Sequence, residues 1–116
     1  NDLIRPALYH AHHQIFPIRY ALSAMRCAEK VDVVGPICES GDFFAKGRLL
    51  PKVKEGDFIA VMSAGAYGFS MSSNYNSRRR AEEVMVVRDK AFVIRKRESL
   101  EDLVHNEAIP AFLLGI

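Results

Sequence analysis

A chain of 116 residues with 49% hydrophobic residues is the size of one globular domain, and its composition excludes disorder. A formal charge of +2 calls for no nucleic acid, and no apolar run nears the roughly 20 residues of a membrane span. Two cysteines, Cys27 and Cys38, are too few for a secreted disulfide scaffold, so thiols in a reducing, cytoplasmic setting are expected.

The chain opens without Met or signal peptide, and Asn1-Asp2-Leu3-Ile4-Arg5-Pro6 reads like the middle of a longer protein. Residues 2–6 suit a short helical turn closing on Pro6. Residues 7–17 read as a strand ended by Pro17. His10 and His12 would share one face of that strand and could chelate together. No nearby Cys or carboxylate completes a metal set, so exposed or core-edge histidines are expected and no metal. Residues 18–25 fit strand or helix. Residues 28–30 look like a loop or hairpin end, and 31–37 like a buried strand.

That strand leads into Gly35-Pro36-Ile37-Cys38-Glu39-Ser40-Gly41-Asp42. Gly35-Pro36 bends the chain and Gly41 frees it again. Between them sit a thiol, a carboxylate and a hydroxyl, with Asp42 following. Cys38 beside Glu39 suits proton transfer and recognition of a cation. The same residues also fit a buried structural cysteine beside an acidic turn.

Phe43-Phe44-Ala45-Lys46-Gly47-Arg48-Leu49-Leu50-Pro51 follows, with Pro51 as a stop. Lys54-Glu55-Gly56-Asp57 is a turn, and residues 58–62 form a core strand. That strand enters Ser63-Ala64-Gly65-Ala66-Tyr67-Gly68, where glycines let backbone pass close to a ligand or simply make a tight turn. Residues 70–77 are polar and loop-like, with room for one helical turn. Arg78-Arg79-Arg80 reads as a solvated turn. Residues 83–89 and 90–97 pair as strands turning at Asp89-Lys90. Ser99 caps a last helix over 100–107, with Glu101 and Asp102 in its first turn and Pro110 as its end. Six or more short strands with Gly and Pro between them predict a mainly β fold. The expected form is an antiparallel, Greek-key-like β-barrel or sandwich with one or two short helices.

Four ordered motifs then resemble one family. Arg5-Pro6-Ala7-Leu8-Tyr9-His10, the 35–42 stretch, Gly65-Ala66-Tyr67-Gly68 and Ser73-Asn74-Tyr75-Asn76-Ser77-Arg78 look like the C-terminal domain of diaminopimelate decarboxylases. These are pyridoxal-phosphate enzymes of the alanine-racemase fold type. Arg79 departs from the pattern, where many relatives have Pro. The resemblance implies a two-domain enzyme whose N-terminal half is a (β/α)₈ barrel carrying the lysine that binds the cofactor. A barrel needs roughly 200 residues or more, so residues 1–116 are expected to be the C-terminal β domain alone, inactive by itself. The site would lie between this domain and the barrel and be completed across a homodimer.

The resemblance also implies roles. Cys38 resembles the catalytic proton donor, supplied from the partner subunit. Glu39 looks like the partner of the distal ammonium of meso-diaminopimelate, and Arg5 offers a planar fork for a carboxylate. Tyr9 resembles a substrate-contacting tyrosine, and Tyr67 one that touches both cofactor and substrate. Asp42 would shape the loop by local hydrogen bonds. Asn74, Tyr75 and Asn76 would line the dimer interface. Two other functions compete: a relative acting on ornithine or arginine, and a non-catalytic binding homologue. Glu39 disfavours the first, because the ornithine branch resembles Cys-Asp here. Intact Cys38, Glu39 and Tyr67 argue against the second.

Overall fold

The computed structural model describes residues 5–18 and 28–115, with only the backbone of Arg5. Its contacts divide the chain into two compact units, one up to Ser72 and one from Ser73. Among the described residues there are six strands and two short α-helices, so the chain is mainly β. The strands form three two-stranded antiparallel sheets, and the sheets described do not close into a barrel.

Among the described residues the first unit begins with α1 (Arg5–Tyr9), so the helix runs past Pro6 and residues 7–9 are helix and not the start of the expected strand. Pro6 explains the difference: its fixed φ suits a first helical turn, where its missing N–H costs nothing. His10, at φ +56, ends the helix. The strand β1 is therefore only Ile15–Pro17. It pairs antiparallel with β2 (Ile59–Val61). From His13 to Ile18 buried and exposed residues alternate, so His13, Ile15 and Pro17 share the inner face.

The second pair joins β3 (Ala28–Val34) to β4 (Phe43–Pro51). Residues 28–30 are thus strand and not loop, because their backbones pair with Leu49–Pro51. The expected buried strand over 31–37 stops at Val34 and is only half-buried, since alternate side chains face outward. Asp32 stands where the ladder shifts, opposite Lys46 and Gly47. Gly47 adopts φ +60 and its N–H donates to Asp32 Oδ1 at 2.6 Å. This is a β-bulge, and glycine supplies the left-handed residue it needs.

Ile15, Ala45 and Leu50 form the buried apolar centre, with Val31, Val33, Phe44 and Val61 packed around it. All four strands of the unit contribute. Phe58, expected in a core strand, is exposed and precedes β2. The 54–57 turn forms as expected, with the Asp57 N–H donating to Lys54 O at 3.0 Å.

In the second unit β5 (Glu83–Val87) and β6 (Lys90–Arg95) make a hairpin. Its two-residue loop is Arg88-Asp89, one position earlier than expected, because Lys90 already pairs with Val87. Val84, Met85, Val86, Val87, Phe92, Val93 and Ile94 are all exposed. Helix α2 is Glu101–Val104, shorter than the expected 100–107, and it ends well before Pro110. Ser99 and Asp102 cap it reciprocally: Asp102 N–H donates to Ser99 Oγ at 3.2 Å, and Ser99 N–H to Asp102 Oδ2 at 2.7 Å.

Candidate functional site

The loop after β3 is built around Asp42. This residue is 6% exposed, while Cys38 and Glu39 on the same loop are exposed. Asp42 accepts the Gly35 N–H on its backbone carbonyl at 2.9 Å. Its carboxylate Oδ2 accepts the Ile37 N–H at 2.7 Å. Its own N–H donates to Glu39 O at 3.0 Å. Glu39 folds back on the loop as well, its Oε1 accepting the Gly41 N–H at 2.9 Å. The loop is thereby closed from inside and carries its thiol and glutamate on the outside. The expectation that Asp42 shapes the loop matches these bonds, whereas a buried structural Cys38 does not match its exposure.

Two glycines are required by close approach. A Cβ on Gly35 would fall on the Asp42 carboxylate. A Cβ on Gly68 would stand 2.7 Å from Ala64 O. The second case lies beside Tyr67, which is 70% exposed and has φ +63. A bulky residue at positive φ is uncommon and strained, and such residues cluster at functional sites. The turn that holds it is knit by bonds from Gly68 N–H to Gly65 O and from Met71 N–H to Tyr67 O, both 3.0 Å.

Helix α1 meets the 35–42 loop: a Cβ on Gly41 would lie 3.4 Å from Ala7 Cβ. Tyr9, at the end of that helix, is 61% exposed. Arg5 starts the helix; its side chain lies outside the described residues. Tyr67 belongs to a separate loop after β2. The helix–loop contact thus brings Tyr9's helix beside the loop of Cys38 and Glu39, and Tyr67 reaches the unit's surface from another strand end.

His12 and His13 have partners elsewhere in the unit. His13, 4% exposed, donates its Nδ1–H to Met62 O at 3.0 Å, since a carbonyl can only accept. Arg48 donates to His13 O at 2.9 Å and to His12 Nδ1 at 3.1 Å. Among the described residues no three His, Cys, Asp or Glu side chains are grouped to hold a metal ion. The burial of His13 escapes the sequence reading, although its two-residue spacing from Ile15 carries the signal.

Arg80 is not part of a solvated turn. Its guanidinium lies 2.7 Å from Glu98 Oε1 and 2.8 Å from Asn74 Oδ1, all within the second unit. Asn74 Nδ2 also donates to Glu98 Oε2 at 2.6 Å. Sequence reasoning misses this network because Glu98 sits in an ordinary charged stretch.

Residues 1–65 match the family described as the pyridoxal-dependent decarboxylase C-terminal sheet domain. The chain belongs to this family. Its curated relatives include the diaminopimelate decarboxylase of Methanothermobacter thermautotrophicus, 50% identical over 114 residues, which are 98% of this chain and 26% of that protein. Another is the diaminopimelate decarboxylase of Pseudomonas fluorescens, 54% identical over 94% of this chain and 25% of that protein. Among solved structures, diaminopimelate decarboxylase from M. jannaschii in complex with L-lysine is similar, at TM-score 0.86 and 39% identity over 97% of this chain and 25% of that one. The L-lysine complex of the Helicobacter pylori enzyme gives TM-score 0.81 and 49% identity over 91% of this chain and 25% of that one. The sheet domain thus spans about a quarter of the length of the relatives it matches. Among the described residues no helix is long and apolar enough to cross a membrane.

Proposed function

We propose that this sheet domain is the C-terminal part of a cytoplasmic diaminopimelate decarboxylase, which converts meso-2,6-diaminopimelate to L-lysine and carbon dioxide. The observation that carries the reading is the 35–42 loop, whose buried Asp42 leaves Cys38 and Glu39 facing outward. The naming of the relatives supports the substrate. Their greater length supports a preceding (β/α)₈ barrel, and the exposed apolar strands of the hairpin support cover by further protein, including a second subunit. In the complete molecule the strands described would join others in a Greek-key-like barrel or sandwich; the likeness to solved relatives supports this.

The residues present fit a pyridoxal phosphate cofactor. Tyr67 is exposed on a strained turn between glycines, with its ring and hydroxyl open to a ligand. When bound, the cofactor supplies the electron sink for loss of the carboxylate. The domain's own residues then bind, orient and protonate. Cys38 Sγ–H delivers the proton that replaces the departing carboxylate on the substrate's α-carbon, acting in the partner subunit's site. Glu39 keeps Oε2 for the distal ammonium while Oε1 holds the Gly41 N–H. Arg5 takes a substrate carboxylate, and Tyr9 and Tyr67 pack against substrate, Tyr67 also against the cofactor. Placing Glu39 and Arg5 at the unreactive end selects a substrate with both an ammonium and a carboxylate there. Ornithine lacks that carboxylate.

The test is the complete protein, loaded with pyridoxal phosphate and offered meso-diaminopimelate, ornithine and arginine in parallel. Stoichiometric L-lysine and carbon dioxide from the first alone is the expected result. Turnover of ornithine or arginine in preference would replace this reading.

A further inference from the structure

Asp42 is the buried carboxylate among the described residues, yet the proposed reaction gives it no direct part. Three of its polar groups go to the loop that carries Cys38. The carboxylate takes the N–H of Ile37, immediately before the cysteine, at 2.7 Å. The backbone N–H goes to the carbonyl of Glu39, immediately after it, at 3.0 Å. The backbone carbonyl takes the N–H of Gly35 at 2.9 Å, closing the base of the loop. Gly35 is the necessary counterpart, since any side chain there would occupy the space of the Asp42 carboxylate. A loop side chain that is buried, ionisable and spent on a backbone N–H is costly unless the order it imposes is used.

We propose that Asp42, seated against Gly35, is the positioning residue that sets Cys38 and Glu39 together for substrate. The inference rests on the decarboxylase reading above. It explains how two adjacent residues can serve one ligand. Extended neighbours point to opposite faces. Bonds on both sides of Cys38 fold the backbone so that thiol and carboxylate leave the loop from one bend. Loss of the Asp42 carboxylate frees the Ile37 N–H and lets both groups drift.

Positioning and mere stabilisation differ in what they do to kinetics. A residue that only stabilises lowers the fraction of folded enzyme, so kcat per total protein falls and KM stays. A residue that places Cys38 and Glu39 shifts both constants in fully folded enzyme: kcat through the thiol, KM through the glutamate. Misplacement by about 1 Å costs on the order of 10²-fold, so Asp42→Ala should lower kcat/KM about tenfold to a hundredfold.

The experiment uses the complete holoenzyme and two readouts. Steady-state kinetics with meso-diaminopimelate are measured on Asp42→Ala, Asp42→Asn, Gly35→Ala and the Asp42→Ala/Gly35→Ala pair. Hydrogen exchange of the 35–42 segment is followed in the same samples. Asp42→Ala is expected to lower kcat, raise KM and speed exchange at the Ile37 amide. Asp42→Asn keeps an oxygen for that amide and should recover most of the activity. Gly35→Ala should resemble Asp42→Ala, and the pair should be no worse than the poorer single variant, because both break one contact. Faster exchange with wild-type kinetics would overturn the proposal, and so would unchanged exchange. A fall in kcat with unchanged KM would also overturn it. If the wild-type enzyme ignores meso-diaminopimelate, the substrate reading fails, and the exchange arm still decides whether Asp42 anchors the loop.

Discussion

Arg80 and Glu98 are joined both by side chain and by backbone. Arg80 Nη1 lies 2.7 Å from Glu98 Oε1, the Arg80 N–H donates to Glu98 Oε2 at 2.7 Å, and the Glu98 N–H returns to Arg80 O at 3.2 Å. The Arg80 backbone N–H and then its side chain hold the Glu98 carboxyl below its ordinary value of 4.5, against the opposing effect of burial, with a lesser contribution from the Asn74 amide. A carboxyl lowered on folding contributes stability that is present above its unfolded pKa and is lost as pH falls through the folded one. This network should therefore hold until acidification passes below about 4.5, and loosen only there. The Arg80 backbone amide and Asn74 side-chain amide resonances should titrate together below that value, and in Glu98→Gln the common titration should vanish. Titration above 4.5 would contradict the assignment.

His13 makes a second prediction. Its Nδ1–H satisfies the Met62 carbonyl, and its ring lies on the inner face with Ile15 and Pro17. His13→Ala removes a buried ring and its bond to that carbonyl. A cost of about 0.5–1.5 kcal/mol follows from the lost hydrogen bond, with a cavity cost added. The complete protein should melt at a lower temperature, with kcat unchanged below the melt. An unaltered melting midpoint would mean the site relaxes without loss.

What can be read from sequence depends on how local the cause is. Gly35-Pro36 and Gly41-Asp42 punctuate their loop visibly, and the loop is where those residues place it. The capping of α2 by Ser99 is equally legible, because one cap needs only its own neighbours. Residues 7–9 mislead because Pro6 can stop a turn or start a helix; here it starts one, with Ala7 set against the 35–42 loop. The bulge opposite Asp32 needs knowledge of register between strands, which no single run of residues contains. The short length of β1 has the same origin: its ladder partners, Ile59 to Val61, lie far along the chain. Cys38, Glu39 and Tyr67, the residues proposed for the site, stand out through ordered motifs, whereas the Asn74–Arg80–Glu98 network joins residues up to 24 apart and has no motif.

The domain by itself should not decarboxylate. In the proposed reaction Cys38 protonates and Glu39, Tyr9 and Tyr67 bind, but the lysine that holds the cofactor is assigned to the proposed barrel half. Residues 1–116 mixed with pyridoxal phosphate and meso-diaminopimelate should release carbon dioxide no faster than the free cofactor. Adding the separately produced barrel half should restore turnover if the halves associate. Faster release by the domain alone would mean that the chemistry resides in it.

The remaining prediction separates Cys38 from Glu39 in the complete enzyme. Both side chains are exposed on one closed loop, and in the proposed reaction they act at different moments. The thiol is needed only when the proton is delivered. Cys38→Ala should therefore lower kcat, by about 10²–10⁴-fold for lost general-acid help, and leave KM nearly unchanged. The glutamate meets the distal ammonium in ground and transition states alike. Glu39→Gln should raise KM and narrow the preference for diaminopimelate over analogues that lack the distal ammonium. It should also keep much of kcat, because the oxygen of the substituted side-chain amide can still take the Gly41 N–H. Glu39→Ala loses both the charge and that loop bond, so it should lower kcat as well as raise KM. Steady-state kinetics on the three variants decide the matter: full kcat in Cys38→Ala, or an unmoved KM in Glu39→Gln, would falsify the division of labour.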